Sequence, residues 1–215
     1  MRNMALTITE SLIRKLLATV DVGLHAGLGV PEPGNMCVEA AIAFALGEPH
    51  GDGPTCVHPV VRAGNIILSD CAWSSDLARA NGMRRVAIAQ LGSTEIDYIK
   101  YVTLLAQYTQ DEIVPLAAAS ASAAKYAKYA AKYAKYAAKY AQYDQYAQYA
   151  QYAAASAQYA AQYAAASAAA SAAQDAALRL SAELMVRALQ ECGSPGCGWL
   201  WLCEEAPCDT TTREP

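Results

Sequence analysis

One low-complexity stretch, residues 117–177, constrains the fold of this 215-residue chain more than any other feature. It contains only Ala, Tyr, Gln, Lys, Ser and Asp, and neither Gly nor Pro occurs between Pro115 and Gly193. Ala is the strongest helix former, and Gln and Lys follow closely, so this composition predicts helix. As one helix, residues 116–191 would extend over roughly 110 Å. We expect such a helix to project, to fold back or to pack against copies of itself.

Tyrosines recur in this stretch with a helical period. From Tyr126 to Tyr143 they alternate spacings of three and four, which is typical of a heptad seam. From Tyr146 to Tyr152 they are three apart, and an eleven-residue repeat follows, so the aromatic stripe changes direction along the helix. Because soluble monomers avoid long exposed apolar patches, we expect the rings to be buried, within the chain or between chains. The predicted assembly interface comprises Tyr126, Tyr129, Tyr133, Tyr136, Tyr140, Tyr143, Tyr146, Tyr149, Tyr152, Tyr159 and Tyr163.

Two other interpretations of the stretch are open. Lys and Gln could keep an Ala-rich helix solvated without any partner, or a Tyr/Gln-rich segment could be disordered. The regular phase of the tyrosines favours a buried stripe over both.

The charge distribution is uneven along the chain. The net charge is −4, with eight Lys/Arg against twelve Asp/Glu in residues 1–115, five Lys against two Asp in 116–177, and three Arg against six acids from 178 onwards. A mildly basic segment between acidic ends favours contact between one copy and another, although salt screens it. The Lys–Tyr pattern could also touch nucleic acid, but the overall acidity makes a nucleic-acid partner the weaker prediction.

The sequence carries no evident signal peptide, because Arg14 and Lys15 interrupt the apolar pattern near its beginning. No stretch is apolar enough to span a membrane. Seven cysteines cannot all pair within one chain. We therefore expect a cytoplasmic protein with reduced thiols, without a membrane partner.

The patterns together predict an all-α protein in three segments. Residues 1–115, the head, form a compact helical domain of short amphipathic helices separated by Gly- and Pro-rich loops. Residues 116–191, the repeat segment, form a very long Ala/Tyr-rich helix. Residues 192–215, the tail, are short and rich in Cys and Trp, and we expect their apolar residues to dock back onto the rest of the chain.

Two parts of the head, and a short motif at the start of the tail, look familiar. They are GNMCVEAAIAFALGEPHGDGPTCVHPVV, beginning at Gly34, and WSSDLARANGMRRVAIAQLGS, beginning at Trp73, with GSPGC before Trp199. They resemble a family of uncharacterised bacterial and phage-encoded proteins that carry a helical head followed by Ala-rich repeats with spaced aromatics. The resemblance covers about 35–93 and 189–201. It implies no activity and assigns no site residue.

Cys37 is the sharpest catalytic candidate in the sequence. It lies in the first turn of a helix predicted to begin near Asn35, where the helix dipole can lower a thiol pKa, and His50 or His58 could act as its base. The other interpretation is a small buried Cys on a helix face, which is common. No strand places either His as a papain-like peptidase would, so we favour the second interpretation.

The tail offers the other cysteine cluster. Cys192, Cys197, Cys203 and Cys208 are separated by four, five and four residues. Such a set could bind zinc or form two disulfides, but it lacks the Cys-x-x-Cys spacing that makes a zinc prediction strong. Unpaired tail cysteines are the simpler interpretation, and the sequence indicates no metal, cofactor or small-molecule ligand.

The tyrosine stripe therefore leads the functional prediction. We expect a structural protein whose Tyr-striped helix packs against copies of itself into a homo-oligomeric bundle or filament. The alternative is a thiol-dependent enzyme or metal-binding head, with the long helix as a spacer. Of the two, the sequence favours the non-enzymatic role.

Overall fold

A computed structural model describes residues 7–116, 121–140, 148–166 and 171–204. The described residues are all-α and contain no β-strand beyond an isolated bridge between Gly29 and Met36. The helices are α1 Glu10–Val20, α2 Val38–Leu46, α3 Pro59–Ser69, α4 Asp76–Ala89, α5 Tyr98–Tyr108, α6 Val114–Leu116, α7 Ala121–Lys139, α8 Gln148–Ala166 and α9 Ser171–Glu191. Ser93–Glu95 and Pro195–Cys203 are 3-10 helices, and a π-helical turn, Thr109–Ile113, joins α5 to α6.

The head helices begin at side-chain caps. Thr9 and Ser75 accept hydrogen bonds from backbone N–H groups in the first turns of α1 and α4, as is usual for these residue types. At α3, His58 Nδ1 accepts from Val60 N, and Pro59 occupies the first helical position. These caps fix where each helix emerges from its loop and so position the polar loops around α2 and α3.

The repeat segment is not one continuous helix among the described residues. α7 and α8 run antiparallel and pack side by side, since Tyr126 stacks on Tyr163 and Tyr133 stacks on Tyr149. α9 packs against α8, and its Ser181 donates a 2.6 Å hydrogen bond to Gln158 of α8. The described residues do not show the single very long helix expected from the sequence, and of the three expected arrangements their contacts match the folded-back one.

Alanines take most of the buried positions of the two hairpin helices. Ala127, Ala130 and Ala134 of α7 are buried, as are Ala153 and Ala157 of α8. Methyl side chains let two helix backbones approach closely, so a tyrosine ring does not fit between them. The rings lie at the margin of the contact instead.

The head and the repeat segment share one core. A single cluster of buried side chains includes Ile13 and Ile42 of the head and Ala157 and Leu184 of α8 and α9. At Gly64 of α3, an added Cβ would lie 3.3 Å from Met185 Cε and 3.7 Å from Ala154 Cβ. The three segments defined from composition are thus not separately packed bodies within the described residues.

The described part of the tail, residues 192–204, docks onto α4, as expected for its apolar residues. Ser194 Oγ donates a 2.6 Å hydrogen bond to the Ala89 carbonyl, and Arg84 Nη1 donates a 2.6 Å bond to the Cys203 carbonyl. Leu200 and Leu202 are buried against the core. Across the part of the chain that is described, no helix combines the length and apolar character needed to cross a bilayer.

Candidate functional site

Cys37 is a structural cap in this fold. It is the N-cap of α2, and its Sγ accepts a 3.4 Å hydrogen bond from Ala40 N. Burial raises the pKa of the Cys37 thiol, although the bond from Ala40 acts in the opposite direction. A raised pKa leaves less thiolate at neutral pH, which is the reverse of what a nucleophile needs.

The two histidines proposed as bases make other contacts. His50 Nε2 lies 3.1 Å from the Gly29 carbonyl oxygen. His58 caps α3, and its ring stacks on Tyr98 with centroids 4.9 Å apart. Burial lowers the pKa of His58. These contacts tie loops and helix ends together, and none of them joins either ring to Cys37.

The tail cysteines form no recognisable metal centre among the described residues. Cys192, Cys197 and Cys203 are half-buried free thiols, and burial raises the pKa of each, that of Cys197 to about 12. Cys208 lies outside the described residues. Within the described ranges, no group of three or more His, Cys, Asp or Glu side chains is placed to hold a metal ion.

A buried carboxyl that the sequence did not single out lies beside Cys37. Glu39 is in the first turn of α2, is 0% exposed, and has no hydrogen-bond partner on either carboxyl oxygen within the described structure. A buried, unpaired carboxylate is strongly unfavourable. Accordingly, burial raises the pKa of Glu39 to about 8.

Two amides share the interior with Glu39. Asn65 of α3 donates a 2.5 Å hydrogen bond to Oε1 of Gln90, which ends α4. Both amides face the Glu39 carboxyl closely enough to hold its pKa down, but neither donates a geometrically sound hydrogen bond to it. Arg62 also lowers the Glu39 pKa by its charge, whereas Asp52 raises it. The result is a polar cluster where α2, α3 and α4 meet.

A cavity of about 50 Å³ opens beside this cluster. Its volume exceeds the roughly 10–15 Å³ that one water requires. Its polar wall includes Glu39 and Ser69, whose Oγ is buried and without a partner among the described residues. Asp52 and Asp70 are exposed residues that line it from the surface side. The remaining lining residues are Gly27, Leu28, Cys37, Val38 and Ile66. We call this space the Glu39 cavity.

Hydrogen bonds hold the loops that surround the cavity. Gly27 N donates a 2.6 Å bond to Asp70 Oδ1, fixing the loop after α1 to the end of α3. The Glu48 carboxylate accepts from Thr55 N at 3.1 Å and from the Thr55 hydroxyl, closing the loop that carries Asp52. The acidic mouth is therefore held by side-chain contacts at both of its edges.

The tyrosines of the repeat segment form a second candidate site, separate from the Glu39 cavity. Nine tyrosine rings, those of α7 and α8 together with Tyr140 directly after α7, make one connected series of contacts, with centroids 5.1 to 6.3 Å apart. We call this series the tyrosine patch: Tyr126, Tyr129, Tyr133, Tyr136, Tyr140, Tyr149, Tyr152, Tyr159 and Tyr163. Such offset and tilted ring pairs stabilise aromatic clusters. Tyr143 and Tyr146 of the predicted interface lie outside the described residues.

The rings of the patch are only partly covered. Tyr129, Tyr136, Tyr152, Tyr159 and Tyr163 are 37–49% exposed. Lysines flank them: Lys125 Nζ lies 5.7 Å from the ring centroid of Tyr129, and Lys132 Nζ lies 5.7 Å from that of Tyr136. Full burial of the stripe within one chain, one of the two possibilities expected from the sequence, is therefore not observed.

A signal for Glu39 was present in the sequence. It is the only charged residue in Val38–Leu46, a helix that is otherwise entirely apolar. A lone acid inside such a run must be buried unless the helix end is solvated. The chemistry that the site offers is hydrogen-bond acceptance and negative charge at the surface of the head.

Comparison of the chain with protein-family models, curated proteins and solved structures finds no match.

Proposed function

We propose that this protein is a structural, self-associating protein whose tyrosine patch packs against copies of the same chain. The observation that carries this proposal is the patch itself. Five of its nine rings keep more than a third of their surface exposed although they are in mutual contact. Contiguous exposed apolar surface of this kind marks interaction sites on soluble proteins, and tyrosine is enriched at such sites.

A complementary groove lies on another side of α7. It has a volume of about 190 Å³ and runs between α5 and α7, with Ala106, Ala131, Ala134 and Ala138 among its lining residues. Small side chains leave room there for a larger side chain of a neighbouring copy. A projecting surface and a receiving groove at different places on one chain favour head-to-tail contacts, which produce rings or filaments.

Charge supports the same partner. The head carries a net charge of −4, from eight cations and twelve anions, whereas residues 116–177 carry +3, from five Lys and two Asp. All five lysines of α7 are exposed. A second copy therefore presents acidic surface to a basic one, which accelerates association and makes it sensitive to salt.

The energies indicate that several rings must dock together. Complete burial of a large apolar side chain contributes about 1.5–3 kcal/mol. Because the exposed rings keep 37–49% of their surface, each has on the order of 1 kcal/mol left to gain on association. Association costs at least about 4 kcal/mol in lost freedom. One ring is too few, and five rings only just offset that minimum cost, so the lysines and the acidic head surface must add to the contact.

A triple substitution tests the patch. Tyr129→Gln, Tyr136→Gln and Tyr152→Gln together remove exposed rings but leave the alanine contacts in place. We expect the variant to stay helical by circular dichroism and to lose self-association in sedimentation equilibrium. The matched control is Leu77→Gln, which removes an exposed apolar side chain, 56% accessible, from α4. If the triple variant and the control associate as the unaltered chain does, the patch is not the interface.

The alternative function, a thiol enzyme or metal-binding head, has less support. A thiol enzyme requires an activated Cys37, but burial raises the pKa of this thiol. A metal-binding head requires a cluster of ligating side chains, and the described residues contain no group of three or more His, Cys, Asp or Glu placed to hold a metal ion.

A further inference from the structure

We propose that the Glu39 cavity is a binding site for a primary ammonium group. The inference is independent of self-association through the tyrosine patch, because the cavity lies between α2, α3 and the loops of the head. It rests on an unpaired buried carboxyl that lines a cavity with a matching acceptor and an acidic mouth.

The hydrogen-bonding groups of the cavity select a donor. Glu39 presents two buried oxygens without partners among the described residues, and Ser69 Oγ is buried and unpartnered as well. Leaving buried polar groups unpaired is unfavourable, so a ligand that pairs them is favoured. A primary ammonium carries three N–H donors and no acceptor. It can therefore donate to both Glu39 and Ser69.

Charge selects a cation. Asp52 and Asp70 are carboxylates on the exposed side of the cavity. Asp70 accepts a hydrogen bond from Gly27 N, and it still presents a second carboxyl oxygen. Arg62 is the opposing cation that acts on Glu39, but it is not among the residues that line the cavity. An anionic ligand would therefore meet like charges at the entrance.

Size and wall chemistry narrow the cation to an organic one. The described His, Cys, Asp and Glu side chains offer no group close enough together to hold a metal ion. Leu28, Val38 and Ile66 supply apolar wall, which suits a short alkyl chain attached to the ammonium. At about 50 Å³ the cavity accommodates only a small head group. Methylammonium is the simplest probe with this chemistry.

Calorimetric titration with methylammonium chloride tests the proposal. At about pH 8.5 the Glu39 carboxyl, whose pKa is about 8, is largely ionised, and an alkylammonium still holds its proton. We expect saturable binding to the unaltered chain, and no binding of tetramethylammonium, which has the same charge but no N–H donor. Equal heats from both salts, or no saturable heat from methylammonium, would overturn the proposal.

Two variants locate the binding. Glu39→Gln keeps the shape of the side chain and removes its charge, so we expect affinity to fall at least tenfold. Ser69→Ala removes one acceptor and should weaken binding by a smaller factor, which provides a second test if the first variant folds poorly. Glu95→Gln alters an exposed carboxylate away from the cavity and should bind as the unaltered chain does. Unchanged affinity in both cavity variants would contradict the assignment.

A free amine and a lysine side chain share this chemistry, and a second titration with a lysine-containing peptide distinguishes them. The tripeptide Ala-Lys-Ala is titrated beside methylammonium against the same protein. Tighter binding of the peptide assigns the site to a lysine side chain, whereas tighter binding of methylammonium assigns it to a small free amine. Binding of either probe that disappears in Glu39→Gln supports an ammonium site. If neither probe binds the unaltered chain, the proposal is overturned.

Discussion

Glu39 determines how the stability of the head depends on pH. A glutamate ionises near pH 4.5 in the unfolded chain but near pH 8 in the folded one, because burial disfavours its charge. Arg62 and the amides of Asn65 and Gln90 oppose this shift, and Asp52 adds to it. Between the two pKa values the folded state holds a proton that the unfolded state has lost. The free energy of unfolding should therefore fall by about 1.4 kcal/mol per pH unit across this window and level off above it.

Chemical denaturation between pH 5 and pH 9 checks this prediction. The Glu39→Gln variant should lose less stability over that range than the unaltered chain, and it should be the more stable of the two at pH 8. Glu95→Gln, an exposed carboxylate, should follow the unaltered chain. Parallel curves for Glu39→Gln and the unaltered chain would show that Glu39 is ionised in the fold throughout.

The thiol of Cys37 should be slow to react. Because burial raises its pKa, little thiolate is present at neutral pH, and burial also limits access to Sγ. We expect iodoacetamide to alkylate Cys37 more slowly than a free model thiol, and more slowly than the half-exposed Cys192, by peptide mass spectrometry. Faster labelling of Cys37 than of the model thiol would restore the thiol-enzyme hypothesis.

At the scale of helices, alanines take most of the buried positions of α7 and α8, and tyrosine rings also meet between the two helices. Ala157→Leu would place three extra carbons in a position that is 1% exposed. We expect it to lower the free energy of unfolding by about 1–3 kcal/mol. Ala176→Leu makes the same change at an exposed position of α9 and should shift stability by no more than about 0.5 kcal/mol. Equal effects in thermal unfolding would contradict an alanine-filled contact.

The sequence predicted helices better than it predicted their packing. Composition and period correctly indicated an all-α chain, because Ala, Lys and Gln favour helix wherever they lie. The reversal between α7 and α8 carries no Gly or Pro, so no breaker marked it. The change in tyrosine spacing after Tyr143 falls between the two helices, and it was the only signal there.

Burial of individual side chains was also beyond sequence patterns. A heptad spacing of large residues normally marks the buried seam. In α7 and α8 the alanine methyl groups allow closer backbone approach, and the tyrosine rings lie at the margin of the contact. Gly82 lies inside α4, where an added Cβ would come within 2.4 Å of the Trp73 ring, and no sequence pattern shows that close approach. Glu39 could have been flagged as the lone charge of α2, but its unpaired state depends on α3 and α4, which only the fold brings together.

At the scale of the molecule, the described residues combine a core shared by the head and the repeat segment with an aromatic, basic outer face. The head and the repeat segment are packed together, so the tyrosine patch is displayed on a folded body and not on a projecting rod. Its exposed rings, its exposed lysines and the acidic head give a second copy both apolar and charged surface to contact. Self-association is the central claim that follows from this arrangement.

Sedimentation velocity of the unaltered chain, over a wide concentration range at low and at high salt, tests that claim most directly. We predict species heavier than the 22.8 kDa chain, with a proportion that rises with concentration. Because rings supply most of the contact and lysines assist it, high salt should weaken the association without abolishing it. A single 22.8 kDa species at every concentration and both salt levels would contradict the account.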